Sequence, residues 1–286
     1  MKKICLLASC VFGFLILNAQ NATDIFIADI KINETSALLS NIKNISNHAG
    51  YDNQPHFISN TKVLFASIRD GKQSDVFEYD LSSDKLKPFF STEESEYSPT
   101  LSLDGKNIIC VRVEKDDSQR LWSFDLKKKK PKLILPKVDS VGYFTFLSKD
   151  KLAIFALGEP QTLRIVDAKT QQEKIMDKNI GRALYSYPLN GQLYFVDKSV
   201  QNKWILKTLK GEGIFNVIEM PFETEDICIT SEGLILTFSK NKLLGYYPIE
   251  SRSWFVLADL NDFGDRKITR LAINANSSKL AFVVAE

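Results

Sequence analysis

Short apolar runs recur along the chain at a nearly constant spacing of roughly 43 residues. They cover residues 63–65, 108–111, 152–155, 193–196, 234–236 and 280–283. A turn precedes each run, and the six turns fall near Asn60, Asp104, Lys149, Asn190, Glu232 and Asn276. Near-continuous apolar runs of this length are typical of strands in a sheet that is packed on both faces. The spacing therefore predicts a repeated unit built around a buried strand.

Each unit contains a further alternating segment, seen best at residues 75–81 and 121–126. This third strand is predicted to end at Asp80, Asp125, Asp167, Thr208 and Pro248. With a short strand before the apolar run and another after the alternating segment, each unit is a four-stranded antiparallel meander. The pattern predicts an all-β protein.

The two ends of the repeat complement each other. Residues 24–30 match 75–81 almost position for position, so the opening strand is predicted to be a third strand. Residues 271–286 supply a first and a second strand. Pairing the opening strand around Phe26 with the closing strand around Phe282 would remove two exposed sheet edges. We therefore expect residues 21–286 to form a single six-bladed β-propeller domain, with one composite blade that closes the ring.

Two of the units also resemble a known repeat. Residues 52–59 with 69–71 and 75–77, and residues 99–105, are similar to the WD-type β-propeller repeat of the TolB family. The resemblance implies a propeller that docks envelope proteins through one face and its central channel. Because no α/β domain precedes the first strand, we expect a stand-alone propeller and not TolB itself.

The first twenty residues are predicted to be a cleaved secretory signal. Lys2 and Lys3 precede an apolar run over residues 4–17, which is short for a membrane span. An uncleaved anchor and lipidation at Cys10 are the alternatives. We expect a periplasmic or extracellular protein, with no stable membrane insertion.

Charge excludes two classes of partner. The chain carries 37 basic and 35 acidic residues, so no net field attracts nucleic acid or an acidic membrane. The run Lys127 to Lys130 is a local exception, for which a solvated hairpin tip is the favoured interpretation. Cys110 and Cys228 fall in different units, and buried free thiols are expected.

Candidate chemistry is sparse. His48 and His56 are the two histidines, and the chain has no Gly-x-Ser-x-Gly nucleophile motif. Glu114, Asp116 and Asp117 would suit calcium, but a solvated acidic turn is favoured. The sequence thus predicts no catalytic residue, metal or cofactor, and no enzyme.

A binding face is easier to predict. Loops that share one end of the blades bring six side chains toward the axis, namely Tyr51, His56, Tyr97, Tyr143, Arg182 and Tyr185. Aromatic residues with Arg and His, rimmed by Glu93, Glu94 and Glu96, are typical of protein-binding surfaces. We expect a monomer that binds another envelope or extracellular protein. The alternative is an enzyme or carbohydrate-binding protein that uses the axial channel.

Overall fold

The computed structural model describes residues 22–69, 71, 73–187 and 191–286. Within these ranges the chain forms 24 β-strands and one short 3₁₀ helix, Asn261–Phe263. The predicted signal segment, residues 1–20, and the turn at Asn190 lie outside the described residues. The described part of the chain contains no helix long and apolar enough to cross a membrane.

The strands form four-stranded antiparallel sheets in which consecutive strands are neighbours. Sheet 1 contains β3 (Tyr51–Ser59), β4 (Lys62–Ile68), β5 (Asp75–Asp80) and β6 (Lys85–Phe90). Sheet 2 contains β7 (Ser95–Leu101), β8 (Asn107–Val113), β9 (Gln119–Asp125) and β10 (Pro131–Ile134). Sheet 3 contains β11 (Val141–Ser148), β12 (Lys151–Ala156), β13 (Thr162–Asp167) and β14 (Glu173–Lys178).

The pattern continues to the C-terminus. Sheet 4 contains β15 (Ile180–Tyr187), β16 (Gln192–Asp197), β17 (Ile205–Lys210) and β18 (Gly213–Glu219). Sheet 5 contains β19 (Cys228–Ile229), β20 (Ile235–Ser239), β21 (Lys242–Tyr246) and β22 (Phe255–Asp259). The terminal sheet combines β23 (Ile268–Ile273) and β24 (Lys279–Ala285) with β1 (Thr23–Ile32) and β2 (Ala37–Asn44). A single parallel bridge, Thr23 to Tyr51, links the terminal sheet to sheet 1.

The terminal sheet is held by the pairing expected from the repeat. β1 runs antiparallel to β24, with Phe26 opposite Phe282. The rings of Phe26, Phe263 and Phe282 pack together, and their centroids lie 5.0 to 5.9 Å apart. The two ends of the chain are therefore joined by a hydrogen-bonded ladder and by an aromatic cluster.

The second strands form the core. Residues 63–66 of β4 and 280–283 of β24 are completely buried, because apolar side chains on both faces meet a neighbouring sheet. Six buried apolar clusters lie in the described part of the chain, and each joins two sheets. One joins sheet 5 to the terminal sheet through Leu236 and Phe282, and another joins the terminal sheet to sheet 1 through Ile25 and Phe65.

Two strand ends differ from the prediction. Three third strands end at Asp80, Asp125 and Asp167 as expected. β17 continues past Thr208 to Lys210, because Gly211, with φ of 62°, makes a tight hairpin that extends the ladder. β21 stops at Tyr246, two residues before Pro248, because the next residues close a turn in which Ser251 N–H donates to the Tyr247 carbonyl.

The prolines of the repeat lie inside strands. Pro55 lies in β3 and Pro99 in β7. Each follows a residue with positive φ, Gln54 at 59° and Ser98 at 52°, where the pairing register shifts. A β-bulge leaves a position without a ladder hydrogen bond, so a proline is tolerated there.

Two smaller predictions are confirmed. Cys110 and Cys228 are buried free thiols, and burial raises the pKa of both well above its ordinary value. Lys127 to Lys130 form the hairpin turn between β9 and β10.

Candidate functional site

The first strands of the sheets surround a common axial channel. β23 contacts β3, β3 contacts β7, β11 contacts β15, and β19 contacts both β15 and β23. A cavity of about 310 Å³ lies between them. We call the end of the sheets that carries the second-to-third-strand loops and the sheet-to-sheet connections the upper end. The lower end carries the hairpin turns that join the first strand to the second and the third strand to the fourth.

Irregular backbone in these strands turns polar side chains toward the channel. The register shifts in β3, β7, β11, β15 and β23, and β3 and β11 have a second shift near their lower ends. In β23 the shift falls at Arg270, whose φ is 45°. Bulges redirect a side chain that would otherwise alternate with the pleat. Gln54, Ser98 and Arg270 thus occupy equivalent positions in three sheets.

A hydrogen-bonded network crosses the channel. The Ser98 N–H donates to Gln54 Oε1 at 2.7 Å, and Gln54 Nε2 lies 3.5 Å from the Tyr143 hydroxyl. Arg270 Nη2 donates to the same hydroxyl at 2.7 Å, and the Arg270 guanidinium lies 4.6 Å from the centre of the Tyr143 ring. These contacts connect the first strands of sheets 2, 1 and 3 to the terminal sheet.

The network continues through a buried carboxylate. Asp226, in the connection before β19, accepts from Arg182 Nη2 at 2.7 Å and lies 3.7 Å from Arg270 Nε. Glu225 lies 3.4 Å from Arg182 Nη1. Burial by itself raises the pKa of Asp226, but the charges of Arg270 and Arg182 outweigh it and hold that pKa below its usual range. The axial charges therefore neutralise one another.

His56 and Tyr185 lie deeper in the same channel. His56 Nε2 accepts the Leu101 N–H at 3.2 Å, and burial lowers the pKa of His56 to about 4. Tyr185 donates its hydroxyl to the Ile229 carbonyl at 3.0 Å. Burial raises the pKa of Tyr185, so its hydroxyl stays protonated. The imidazole is neutral at pH 7 and its acceptor nitrogen is already occupied.

Tyr51 and Tyr97 lie near the upper mouth of the channel. Their ring centroids are 6.4 Å apart in an edge-to-face arrangement, and both side chains are half-buried. Burial raises the pKa of each hydroxyl. These two tyrosines belong to the rim of the channel, whereas Tyr143 and Arg182 are held in its network.

The six predicted side chains were expected in loops, but the structure places all of them within the first strands of sheets 1 to 4. Sequence reasoning missed Gln54, Asp226 and Arg270, which complete the network. The repeat held a usable signal, since Gln54 and Ser98 both precede the repeat proline. Nothing comparable marks Asp226, which lies in a connection between sheets.

The three glutamates predicted to rim the binding face do not form an exposed acidic rim. Glu96 is fully buried, accepts from Arg112 Nε at 2.9 Å, and has a pKa raised to about 7 by burial. Glu94 also contacts Arg112, at 2.9 Å. Glu96 therefore fastens the interior of sheet 2 instead of offering charge to a partner. Glu93, paired with Lys115 at 2.7 Å, is exposed.

The proposed calcium ligands also have protein partners. Glu114 accepts from Arg120 Nε at 2.7 Å and from Trp122 Nε1 at 3.0 Å. Asp116 accepts the Ser118 N–H at 3.1 Å. Within the part of the chain that the structure describes, no group of three or more His, Cys, Asp or Glu residues is arranged to hold a metal ion.

A second concavity opens beside the channel at the upper end. It has a volume of about 650 Å³ and lies between sheets 4 and 5 and the terminal sheet. Trp204, Phe222 and Phe238 line it, together with Lys240 and Lys267. Phe222 is 66% exposed although it is a large apolar side chain. We call this concavity the upper groove.

Comparisons with known proteins bear on the fold. No protein-family model matches the sequence, and no curated protein matches it. Among solved structures, a TolB-like protein from Agrobacterium tumefaciens aligns with a TM-score of 0.69 at 9% identity, covering 93% of this chain and 99% of that one. A chain of the nidogen/laminin complex aligns with a TM-score of 0.60 at 11% identity, covering 82% and 93%.

Enzymes share the architecture as well. An oligogalacturonate lyase in complex with manganese aligns with a TM-score of 0.54 at 11% identity, covering 85% of this chain and 79% of the lyase. Similarity at these identities concerns the fold alone. The chain has a β-propeller fold, and its structural neighbours include a chain of the nidogen/laminin complex, a TolB-like protein and a lyase.

Proposed function

We propose that this chain is a six-bladed propeller that docks another protein through its upper end, in the bacterial envelope or outside the cell. The five intact sheets and the terminal sheet are the blades, and the β1–β24 pairing closes the ring. Support comes from the six apolar clusters, each between two neighbouring sheets. The hydrogen-bonded network across the channel adds support. It includes residues of sheets 1 to 4 and of the terminal sheet, and Asp226 from the connection that precedes sheet 5.

The observation that carries the docking role is the exposed aromatic side chain of the upper groove, which shares Arg182 and Asp226 with the channel. In the channel, Arg182, Arg270 and Asp226 satisfy one another. In the upper groove, Phe222 is exposed beside Trp204. Aromatic side chains in a concave surface are the usual anchors of protein interfaces. The groove is therefore the better candidate for contact with a partner, and the proposed docking surface also includes Tyr51 and Tyr97.

Export is part of the proposal. The basic start and apolar run of residues 1–20 support secretion, and a TolB-like fold is compatible with a role in the envelope. We place the protein in the periplasm or outside the cell.

Site-specific photocrosslinking tests the docking role. A photoreactive phenylalanine analogue replaces Phe222 at the upper end or, as a control, Ile249, which is 98% exposed in the lower turn between β21 and β22. The Phe222 position is expected to give a discrete protein adduct in cells that produce the chain, and the Ile249 position is not. The same adduct from both positions, or none from either, contradicts the proposal.

A second candidate is carbohydrate binding or turnover in the axial channel. The guanidinium groups of Arg182 and Arg270 favour it, because they lie beside a cavity of about 310 Å³. A metal analysis combined with a screen of acidic glycans and lactones distinguishes the two candidates. Two results would favour the channel and contradict docking. One is a stoichiometric bound metal, and the other is glycan or lactone binding that is lost in Arg270→Ala but retained in Phe222→Ala.

A further inference from the structure

The lower end of sheets 1 and 2 carries a dense group of lysines. They lie in or next to the hairpin turns of the two adjacent sheets, and the group contains no arginine. We call it the basic patch, and its members are Lys62, Lys85, Lys87, Lys106, Lys127, Lys128, Lys129, Lys130 and Lys132. The whole chain is almost neutral, with 37 basic and 35 acidic residues, so this concentration is a local departure from its average.

The carboxylates near the patch are already engaged. Glu78 Oε1 lies 3.2 Å from both Lys62 Nζ and Lys87 Nζ, so one buried carboxylate serves two ammonium groups. Asp84 contacts Lys43, which lies outside the patch. Asp80 lies 3.6 Å from Lys62, and Asp104 and Asp125 lie in or next to the hairpin turns of sheet 2. The nine patch lysines therefore outnumber the five local carboxylates by four.

The β9–β10 turn contains the longest run of patch lysines. Asp125 Oδ1 accepts the backbone N–H groups of Lys127 and Lys128 at 2.9 and 2.7 Å, so the carboxylate stabilises the turn. The side chains of Lys127, Lys128 and Lys130 are exposed. The Leu126 N–H donates to the Lys106 carbonyl, which fixes this turn beside the β7–β8 turn.

One patch lysine of sheet 2 packs on an aromatic ring of sheet 1. Lys129 Nζ lies 2.9 Å from the centre of the Phe89 ring. Burial lowers the pKa of Lys129, the charges of Glu78 and Asp125 oppose this shift, and those of Lys87 and Lys62 add to it. Sheets 1 and 2 thus contribute to one continuous cationic surface.

An apolar side chain projects from the same surface. Leu103 lies in the β7–β8 turn, between Ser102 and Asp104, and is 62% exposed. Lysines around an exposed leucine suit the interface of a bilayer, where ammonium groups meet headgroups and the apolar side chain enters the acyl boundary. Flexible lysines act as point charges, which fits a diffuse anionic surface better than recognition of one planar group.

We propose that the basic patch docks the protein peripherally on an anionic lipid surface, with the upper end facing away from the bilayer. The contact is electrostatic and shallow, and no segment of the propeller spans the membrane. It is independent of the protein partner, since the upper groove and the patch lie at opposite ends of the sheets.

Vesicle cosedimentation tests this inference on the purified chain. Vesicles of phosphatidylcholine with phosphatidylglycerol are compared with phosphatidylcholine alone, which reveals any binding that residues 1–20 contribute. The patch variant replaces three lysines with glutamine, at Lys127, Lys128 and Lys130. The matched control replaces three exposed lysines of the upper end with glutamine, at Lys115, Lys178 and Lys203.

The patch variant is expected to lose affinity for anionic vesicles by about fivefold per lysine, or on the order of a hundredfold in total at low salt. The control variant is expected to lose much less. Leu103→Asp is expected to weaken vesicle binding but to leave retention on heparin unchanged. Absence of binding to anionic vesicles, an equal loss in both triple variants, or retention on heparin without vesicle binding would each overturn the proposal. The last result would assign the patch to a polysaccharide.

Discussion

Removing the axial carboxylate is expected to destabilise the fold strongly. Asp226 has a side chain only 10% exposed and lies between Arg182 and Arg270, whose side chains are 32% and 14% exposed. Asp226→Ala leaves two guanidinium groups facing each other across the channel without their shared partner. Breaking a buried ion pair from one side costs about 3–5 kcal/mol, and the remaining contact of Arg182 with Glu225 places the expected loss near the lower figure.

The assay is urea denaturation followed by tryptophan fluorescence, with the free energy of unfolding as the measured quantity. Asp259→Ala is the control, since Asp259 lies 3.7 Å from Lys242 in an exposed pair expected to contribute about 0–1 kcal/mol. Asp226→Asn keeps an oxygen acceptor and should fall between these two variants. A loss in Asp226→Ala as small as that in the control would refute the reasoning that the axial network holds the sheets together.

Acidification should act on the same group. The pKa of Asp226 in the folded protein lies below its ordinary value of 3.8, so its contribution to stability is present above pH 3.8. It is lost as the pH falls through the pKa of the folded state. In Asp226→Asn this part of the acid sensitivity should vanish, which a comparison of urea midpoints below pH 4 measures.

Four other outcomes are expected. Burial raises the pKa of Glu96 from 4.5 to about 7, so the folded state binds this proton more tightly than the unfolded state does. The stability of the protein should therefore fall as the pH rises from 4.5 to 7, and Glu96→Gln should flatten this dependence in urea titrations. Peptide mapping after thiol labelling should find Cys110 and Cys228 unmodified until the chain unfolds, and rapid labelling of the native protein would argue against their burial. Phe282→Ala should cost about 3–5 kcal/mol, measured by denaturation, because Phe282 is fully buried in the terminal aromatic cluster. NMR titration of His56 should give a pKa near 4, and a midpoint above 6 would contradict its burial in the channel.

The repeated strands could be predicted because their signal is periodic and local. Buried second strands such as β4 and β8 are apolar at almost every position, and sheet packing on both faces is the physical cause. The pairing of β1 with β24 followed from the same phase, since each end lacked the strands that the other supplied. The two-residue strand β19 could not be found in this way, because so short a segment has no period.

The site was predictable only in part. The sequence placed Tyr143 and Arg182 near the axis. It could not show that Arg270 donates to the Tyr143 hydroxyl or that Asp226 accepts from the Arg182 guanidinium. That pairing depends on bulges and on contacts between strands distant in sequence, which leave no local pattern. The rim acid Glu96 was misassigned for a related reason, because its partner Arg112 lies on the neighbouring strand of a buried face.

The most direct test of the ring is a disulfide between the two ends of the chain. Asp29 and Lys279 lie opposite each other in the β1–β24 ladder, are ion-paired, and are about one third exposed. In the double variant Asp29→Cys, Lys279→Cys, oxidation is expected to give an intramolecular disulfide in the monomer, identified by mass spectrometry, and to raise the urea midpoint because it closes a very long loop. Failure to form this bond under native conditions, or disulfides that form only between chains, would contradict a propeller closed by its terminal strands.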